Sequence, residues 1–418
     1  LTKFYNMNKF LDKVYPYTLF PLFAFPLLKE NISMIFLGVF ALFTIRYSLI
    51  NKTKTIIKSN WLVFSIPFFI VVIASLLRGE LVKNLGEINH VLLFLALPIF
   101  FFLSSDELFT KEKIVHYFKF LIYCCAVLIF IYILLFLVNH QFYELFATKY
   151  NSSLFRDFVY SKTNFFTIHP AYLTSITLFG TAFCIEELKA RFSYLYLLLI
   201  ILFFSFTFLL LTKLNIVLIT MLILYSIFRY SKIKIIYKFS LVLLIAVVSI
   251  ILIYITPGMM LRILEVINSL NTEPIGAAYD STNIRKAIYT CDFLLIKENF
   301  WYGVGFSELK LELLNCFNEN YQSDFYKNHL YLTHNYFIYV LLGSGIFGLI
   351  SLLYFFYKSY SFLLNFKSLT IGVFMLNTLL MCMIEDYFYR QNGILFFLLI
   401  LLSLFKFHSK YKTNLFDK

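Results

Sequence analysis

The chain has 418 residues, of which 61% are hydrophobic and 14% charged, with mean hydropathy +0.80 and net charge +13. A soluble domain of this length cannot hide so much apolar surface, so lipid is the solvent for most of it. The charge comes with no basic soluble domain, which excludes a nucleic-acid surface, and no CxxC, GxxxxGK[ST] or HExxH pattern occurs, so no metal site and no nucleotide cofactor is expected.

The N-terminal stretch LTKFYNMNKFLDKVYPYTLFPLFAFPLL has a basic start and an apolar body but no small-residue cleavage site. It reads as a retained first span, interrupted by Pro16, Pro21 and Pro26, rather than as a signal peptide. A crossing helix needs roughly 20 apolar residues. Runs of that kind lie near 15–29, 32–50, 61–77, 89–104, 115–138, 168–187, 193–211, 214–229, 236–256, 331–357, 368–385 and 391–407. The expected fold is an all-α integral membrane protein of about 12 transmembrane helices with a large, partly helical outer loop. Nine spans fall in 1–256, the outer loop is 257–330, and three spans with an inner tail make up 331–418.

The apolar run 193–228 is broken only by Thr212, Lys213 and Asn215. As one helix at 1.5 Å per residue it would be about 54 Å long, against a hydrocarbon core of about 30 Å. Two spans with a tight turn at Thr212–Lys213 are therefore expected. With both termini inside, the inner loops then hold Lys52, Lys54 and Lys58; Lys111 and Lys113; Lys189 and Arg191; Arg229, Lys232, Lys234 and Lys238; Lys358 and Lys367; and Lys406, Lys410 and Lys412. This is the distribution that the positive-inside rule demands. Without the break, the Arg229–Lys238 cluster would fall outside.

In the outer loop, Ile284, Ile288, Cys291, Leu294 and Leu295 recur at helical spacing. An amphipathic helix over 281–300, lying on the membrane surface, is expected. Cys291 and Cys316 share the loop; a disulfide and two free thiols are both open.

Ionisable residues near membrane depth are costly and call for an explanation. Arg78, Arg156, His169, Lys213, Arg285, His334, Glu385, Asp386 and Arg390 all fall at outer span ends or in outer loops. Fixed cations of this kind can clamp a diphosphate leaving group, and a neutral imidazole can take the proton of an attacking hydroxyl. His334 stands where a helix should start, with Asn335 or Thr333 placed to cap it. Plainer roles also exist. Arg78 and Arg156 are ordinary loop charges on this view, Lys213 snorkels from a short hairpin, Arg285 solvates its helix, Glu385 pairs with Arg390, and His169 caps a helix beside Pro170. Gly343, Gly345 and Gly348 are then helix-packing positions.

Taken in order, these residues resemble the O-antigen ligase/polymerase superfamily of bacterial envelope proteins. The pattern reads Arg285, Tyr289, Gly303-Val304-Gly305, His334-Asn335-Tyr336-Phe337 and Gly345-Ile346-Phe347-Gly348. Upstream, FTIHPAYLTS and LLLTKLN are similar to the family's His-Pro segment and its outer-turn basic motif. EDYFYRQNGILFFLL is similar to the E-x-x-L-x-R-Q-x-G tail of the ligase-like branch. Lys213 stands where Arg is commoner and cannot make the same bidentate contact; Tyr289 stands where Trp is frequent, and Phe388 departs from the usual leucine.

The resemblance spans about 160 to 405, beyond which only hydropathy is shared. It implies a membrane glycosyltransferase of the bacterial inner membrane, active on the periplasmic face. A glycan would pass from undecaprenyl diphosphate to lipid A–core, or to a second lipid-linked glycan in a polymerase, with no cofactor. His334 would activate the acceptor hydroxyl; Lys213 and Arg285, with Arg78 and Arg156, would hold the diphosphate; His169, Asn335, Glu385 and Arg390 would support them. The E…RQ-x-G tail favours the ligase. A secondary transporter is the alternative of another class, but no repeated halves or acidic coupling residues within spans are visible.

Overall fold

Backbone in lipid must satisfy its own hydrogen bonds, so apolar runs of this length fold as helices. A computed structural model describes residues 11–51, 60–149, 152–160, 166, 168–230, 234–274, 276, 280–321, 323–327 and 329–411. Lys52, Lys54, Lys58, Lys232 and Lys412 of the inner loops lie outside the described residues. Six described helices are long and apolar enough to cross a membrane: Glu30–Asn51, Leu85–Leu103, Lys111–Asn139, Lys213–Tyr230, Tyr336–Phe366 and Gln391–Tyr411. Shorter apolar helices are Ile66–Leu77, Tyr194–Leu209, Ile235–Ile251 and Leu369–Ile384. Strand among the described residues is one short antiparallel pair, Thr148–Lys149 with Ser152–Ser153.

One expected span takes another form. Residues 15–29 make short pieces, Tyr15–Tyr17, Phe20–Phe23 and Phe25–Leu27, each with proline in its first turn. A proline restarts a helix but cannot continue one, so three in eleven positions leave no continuous helix. The helix Pro170–Ala190 does form, yet it is less apolar than the spans because it carries Thr174, Ser175, Thr177 and Thr181 on buried faces. Each hydroxyl donates to a carbonyl three or four residues back, which satisfies it without water.

The chain forms two compact units. The first comprises Leu1–Leu121, Ala287–Ile371 and Thr378–Lys418; the second comprises Ile122–Lys286 and Gly372–Asn377. These units cut across the division at 256 and 330 that span counting suggests.

In the first unit, the helix Gln391–Tyr411 is apolar on every side and buried along nearly its whole length, as a central helix must be. Phe388 and Phe397 sit 5.1 Å apart, with Phe94 at 5.2 Å from Phe388 and Phe355 at 5.9 Å from Phe397. Edge-to-face and tilted rings at these spacings are the arrangement that aromatic quadrupoles favour. The same unit holds the later part of the outer segment. The amphipathic helix is Ser281–Asn299, with Ile288, Cys291 and Leu295 buried and Leu294 turned out at 42% exposure.

Cys291 and Cys316 form a disulfide, with Cα atoms 5.8 Å apart, tying this helix to Leu309–Asn320. The bridge closes a loop across a sequence separation of 25 residues. Replacing both cysteines by serine is expected to cost about 3 kcal/mol, read as an earlier denaturation midpoint of the detergent-solubilised protein. An unchanged midpoint would show that packing alone holds the two helices.

The loop Gly303-Val304-Gly305 docks on a break in the helix Tyr336–Leu363. Gly345 has φ 72° and ψ −171°, which interrupts the helix there. The freed groups are met by the loop: Val304 N donates to Leu342 O at 2.6 Å, and Ile346 N to Phe300 O at 3.1 Å. Contact is backbone to backbone, since a Cβ on Gly345 would lie 2.0 Å from Trp301 O and one on Gly303 would lie 2.4 Å from Leu342 O.

In the second unit, the helices Tyr194–Leu209 and Lys213–Tyr230 are joined by a turn at Leu210–Thr212 in which Leu211 has φ 51°. The expected turn is thus present and lies one or two residues earlier. Thr177 and Thr207 hydroxyls meet at 2.9 Å, and Asn215 Nδ2 donates to Thr174 Oγ1 at 2.7 Å, so three helices share a polar seam. Gly180 admits the Phe203 ring, which a Cβ would strike at 2.7 Å.

Candidate active site

His334 sits at the mouth of the helix Tyr336–Leu363, one residue before its cap. Asn335 is the cap: its Oδ1 accepts from Phe337 N at 3.0 Å and Ile338 N at 3.2 Å. Asn335 therefore takes two of the helix-end donors. His334 itself is left-handed, with φ 46°, a conformation that costs a non-glycine residue about 1 kcal/mol or more and needs support. Asp386 supplies it. Its Oδ2 accepts the His334 backbone N–H at 3.0 Å and its Oδ1 accepts the Thr333 hydroxyl at 2.6 Å. Tyr289 Oη, on the amphipathic helix, donates to His334 O at 3.4 Å.

The ring is oriented by a second carboxylate. His334 Nδ1 lies 3.1 Å from Glu385 Oε2. A carboxylate only accepts, so Nδ1 carries a proton, and in the neutral form of the ring that leaves the lone pair on Nε2. A carboxylate behind one imidazole nitrogen fixes tautomer and direction, the arrangement expected of a general base. Glu385 thus faces His334 rather than Arg390, which lies within electrostatic reach of Glu30.

Two buried carboxyls underlie this arrangement. Burial raises Asp386, while His334 and the Thr333 hydroxyl pull it back down. Burial, with the nearby Asp386 adding to it, pushes Asp292 up to about 9. Asp292 went unremarked in the sequence. Its signal was its register: it falls four residues after Ile288 and three before Leu295, on the apolar stripe of the helix.

Arg78 belongs to the same unit and is committed to the backbone. Its guanidinium donates to the carbonyls of Tyr302 at 2.9 Å, Val304 at 3.0 Å, and Gly303. It clamps the glycine loop that docks on Gly345.

In the second unit, Lys213 opens its helix and pairs with Glu265 at 3.3 Å. Glu265 Oε1 also accepts from Ser281 Oγ at 2.8 Å and Thr282 N at 3.0 Å. One carboxylate thereby anchors both Lys213 and the start of the helix Ser281–Asn299, whose fifth residue is half-buried Arg285. Arg156 donates to Leu210 O at 2.6 Å and Leu211 O at 3.3 Å, bracing the turn that leads into Lys213. His169 caps the helix Pro170–Ala190, its Nδ1 accepting from Ala171 N at 3.2 Å.

The helices and the His334 arrangement define a multi-pass helical membrane protein with an imidazole–carboxylate pair at the start of a long helix. Residues 197–353 match the family model described as O-antigen ligase. That segment takes in Lys213, Arg285 and His334, so the part of the chain that is similar to the O-antigen ligase family is the part that carries them. No curated protein matches the chain.

Proposed function

We propose that this protein is an O-antigen ligase-like glycosyltransferase, moving a glycan from undecaprenyl diphosphate to lipid A–core. The observation that carries the reading is His334 Nδ1 held by Glu385 within hydrogen-bond distance, at a position inside the family-matched segment. In the proposed reaction, His334 Nε2 takes the proton of the acceptor hydroxyl. The resulting oxygen nucleophile attacks the anomeric carbon, the bond from that carbon to the diphosphate oxygen breaks, and the lipid diphosphate leaves as an anion. Lys213 and Arg285 are assigned to hold that anion. Arg78 and Arg156 serve indirectly by fixing backbone, His169 and Asn335 by capping helices, Glu385 by orienting His334. Arg390 is assigned a supporting charge. The setting is the inner membrane, with about twelve spans, both termini cytoplasmic and His334 periplasmic.

Lipopolysaccharide from a host strain lacking the gene tests this directly. Complementation by the wild-type gene should restore a full O-antigen ladder on lipid A–core. Without it, long glycan should accumulate on the lipid carrier. Lipid A–core bearing one repeat and no ladder would instead assign the protein to the polymerases, and an unchanged gel would remove both readings.

A further inference from the structure

Asp292 is 0% exposed, and among the described residues neither of its carboxyl oxygens has a hydrogen-bond donor. A bare carboxylate in such a place is far less stable than the acid. Its neighbour Asp386 is differently provided for, since both of its oxygens accept hydrogen bonds, from the Thr333 hydroxyl and the His334 N–H. Two buried carboxyls within electrostatic reach of each other cannot easily both ionise, and the one with donors takes the charge. Other ionisable groups within reach of Asp386 are His334, Glu385, Tyr336 and Cys382. None of these is a cation fixed beside Asp292.

We propose that Asp292 is a positioning residue that holds a proton against Asp386, so that the pair carries one negative charge beneath His334 and loss of that proton sets the alkaline limit of the site. A second charge would repel Asp386 and loosen its hold on Thr333 and on the left-handed His334. The catalytic part of this inference rests on the glycan-transfer reading; the proton assignment does not, and two experiments separate them.

The first follows transfer from a lipid-linked donor by the purified full chain across the alkaline range. Wild type should fall about tenfold per pH unit above a midpoint near 9. Asp292→Asn, a neutral isostere of the acid, should lose that limb when normalised to its own plateau. Superimposable profiles would overturn the proposal. The second uses no substrate. In protein labelled with nitrogen-15 at histidine, the His334 titration midpoint should be the same in wild type and D292N. A midpoint lower by half a unit or more in D292N would mean that Asp292 is charged at neutral pH, which overturns the proposal whatever the enzyme does. Absence of transfer by wild type, with equal midpoints, would sink the functional reading and leave the proton on Asp292 standing.

Discussion

Replacing His334 by alanine should lower the rate of glycan transfer by about 10²–10⁴-fold, with little change in donor affinity. A general base acts on the proton in flight, so its loss falls on turnover rather than on binding. The measurement is single-turnover transfer from a lipid-linked glycan by the purified variant. Its companion is Glu385→Gln, which keeps the shape of the partner and removes the acceptor charge that fixes the Nδ1 proton. That variant should fall between wild type and H334A. A H334A enzyme within about fivefold of wild type could not have lost its general base, and the mechanism would have to be rebuilt on the cations.

The second large effect concerns the backbone. Gly345→Ala should destabilise the first unit by upward of about 3 kcal/mol. Two costs combine: φ 72° with ψ −171° belongs to a region open essentially to glycine, and the added Cβ would stand 2.0 Å from a backbone carbonyl that cannot swing aside. The readout is the folded, monodisperse fraction after extraction. Gly38→Ala is the contrasting case. Gly38 lies within the helix Glu30–Asn51 with nothing within 4 Å of its Cβ position, so alanine there should be neutral or gain up to about 1 kcal/mol. If both variants behaved alike, the loop would not be seated on the helix break.

Some of this was legible in the sequence because simple limits forced it. A run too long for the bilayer had to turn, and it turns at Leu210–Thr212. Apolar residues at helical spacing placed the helix Ser281–Asn299 to within a residue. Other features resisted for equally physical reasons. Hydropathy overstates a segment whose prolines break it, as at Tyr15–Leu27. Partner choice was the hardest to read. Glu385 looked like a mate for nearby Arg390 but turns to His334, 51 residues away in the chain. Arg78 and Arg156 looked like loose charges, yet both hold carbonyls that only the tertiary fold brings to them. His334 was legible as standing at a helix start, but its support was not, since Tyr289, Glu385 and Asp386 reach it from other segments.

The seating of Gly303 on Gly345 bears on how such proteins diversify. Main-chain amides and carbonyls join the glycine loop to the broken helix, with the Phe306 ring seated against Gly343 beside them. An extramembrane segment attached in this way is not a cassette. Grafting the outer loop of a relative onto this membrane scaffold should fail unless the recipient's helix, with its break in register, travels with it. Changes in acceptor preference would then have to accumulate as point substitutions on a fixed frame, or else by exchange of the loop and helix as one inherited block.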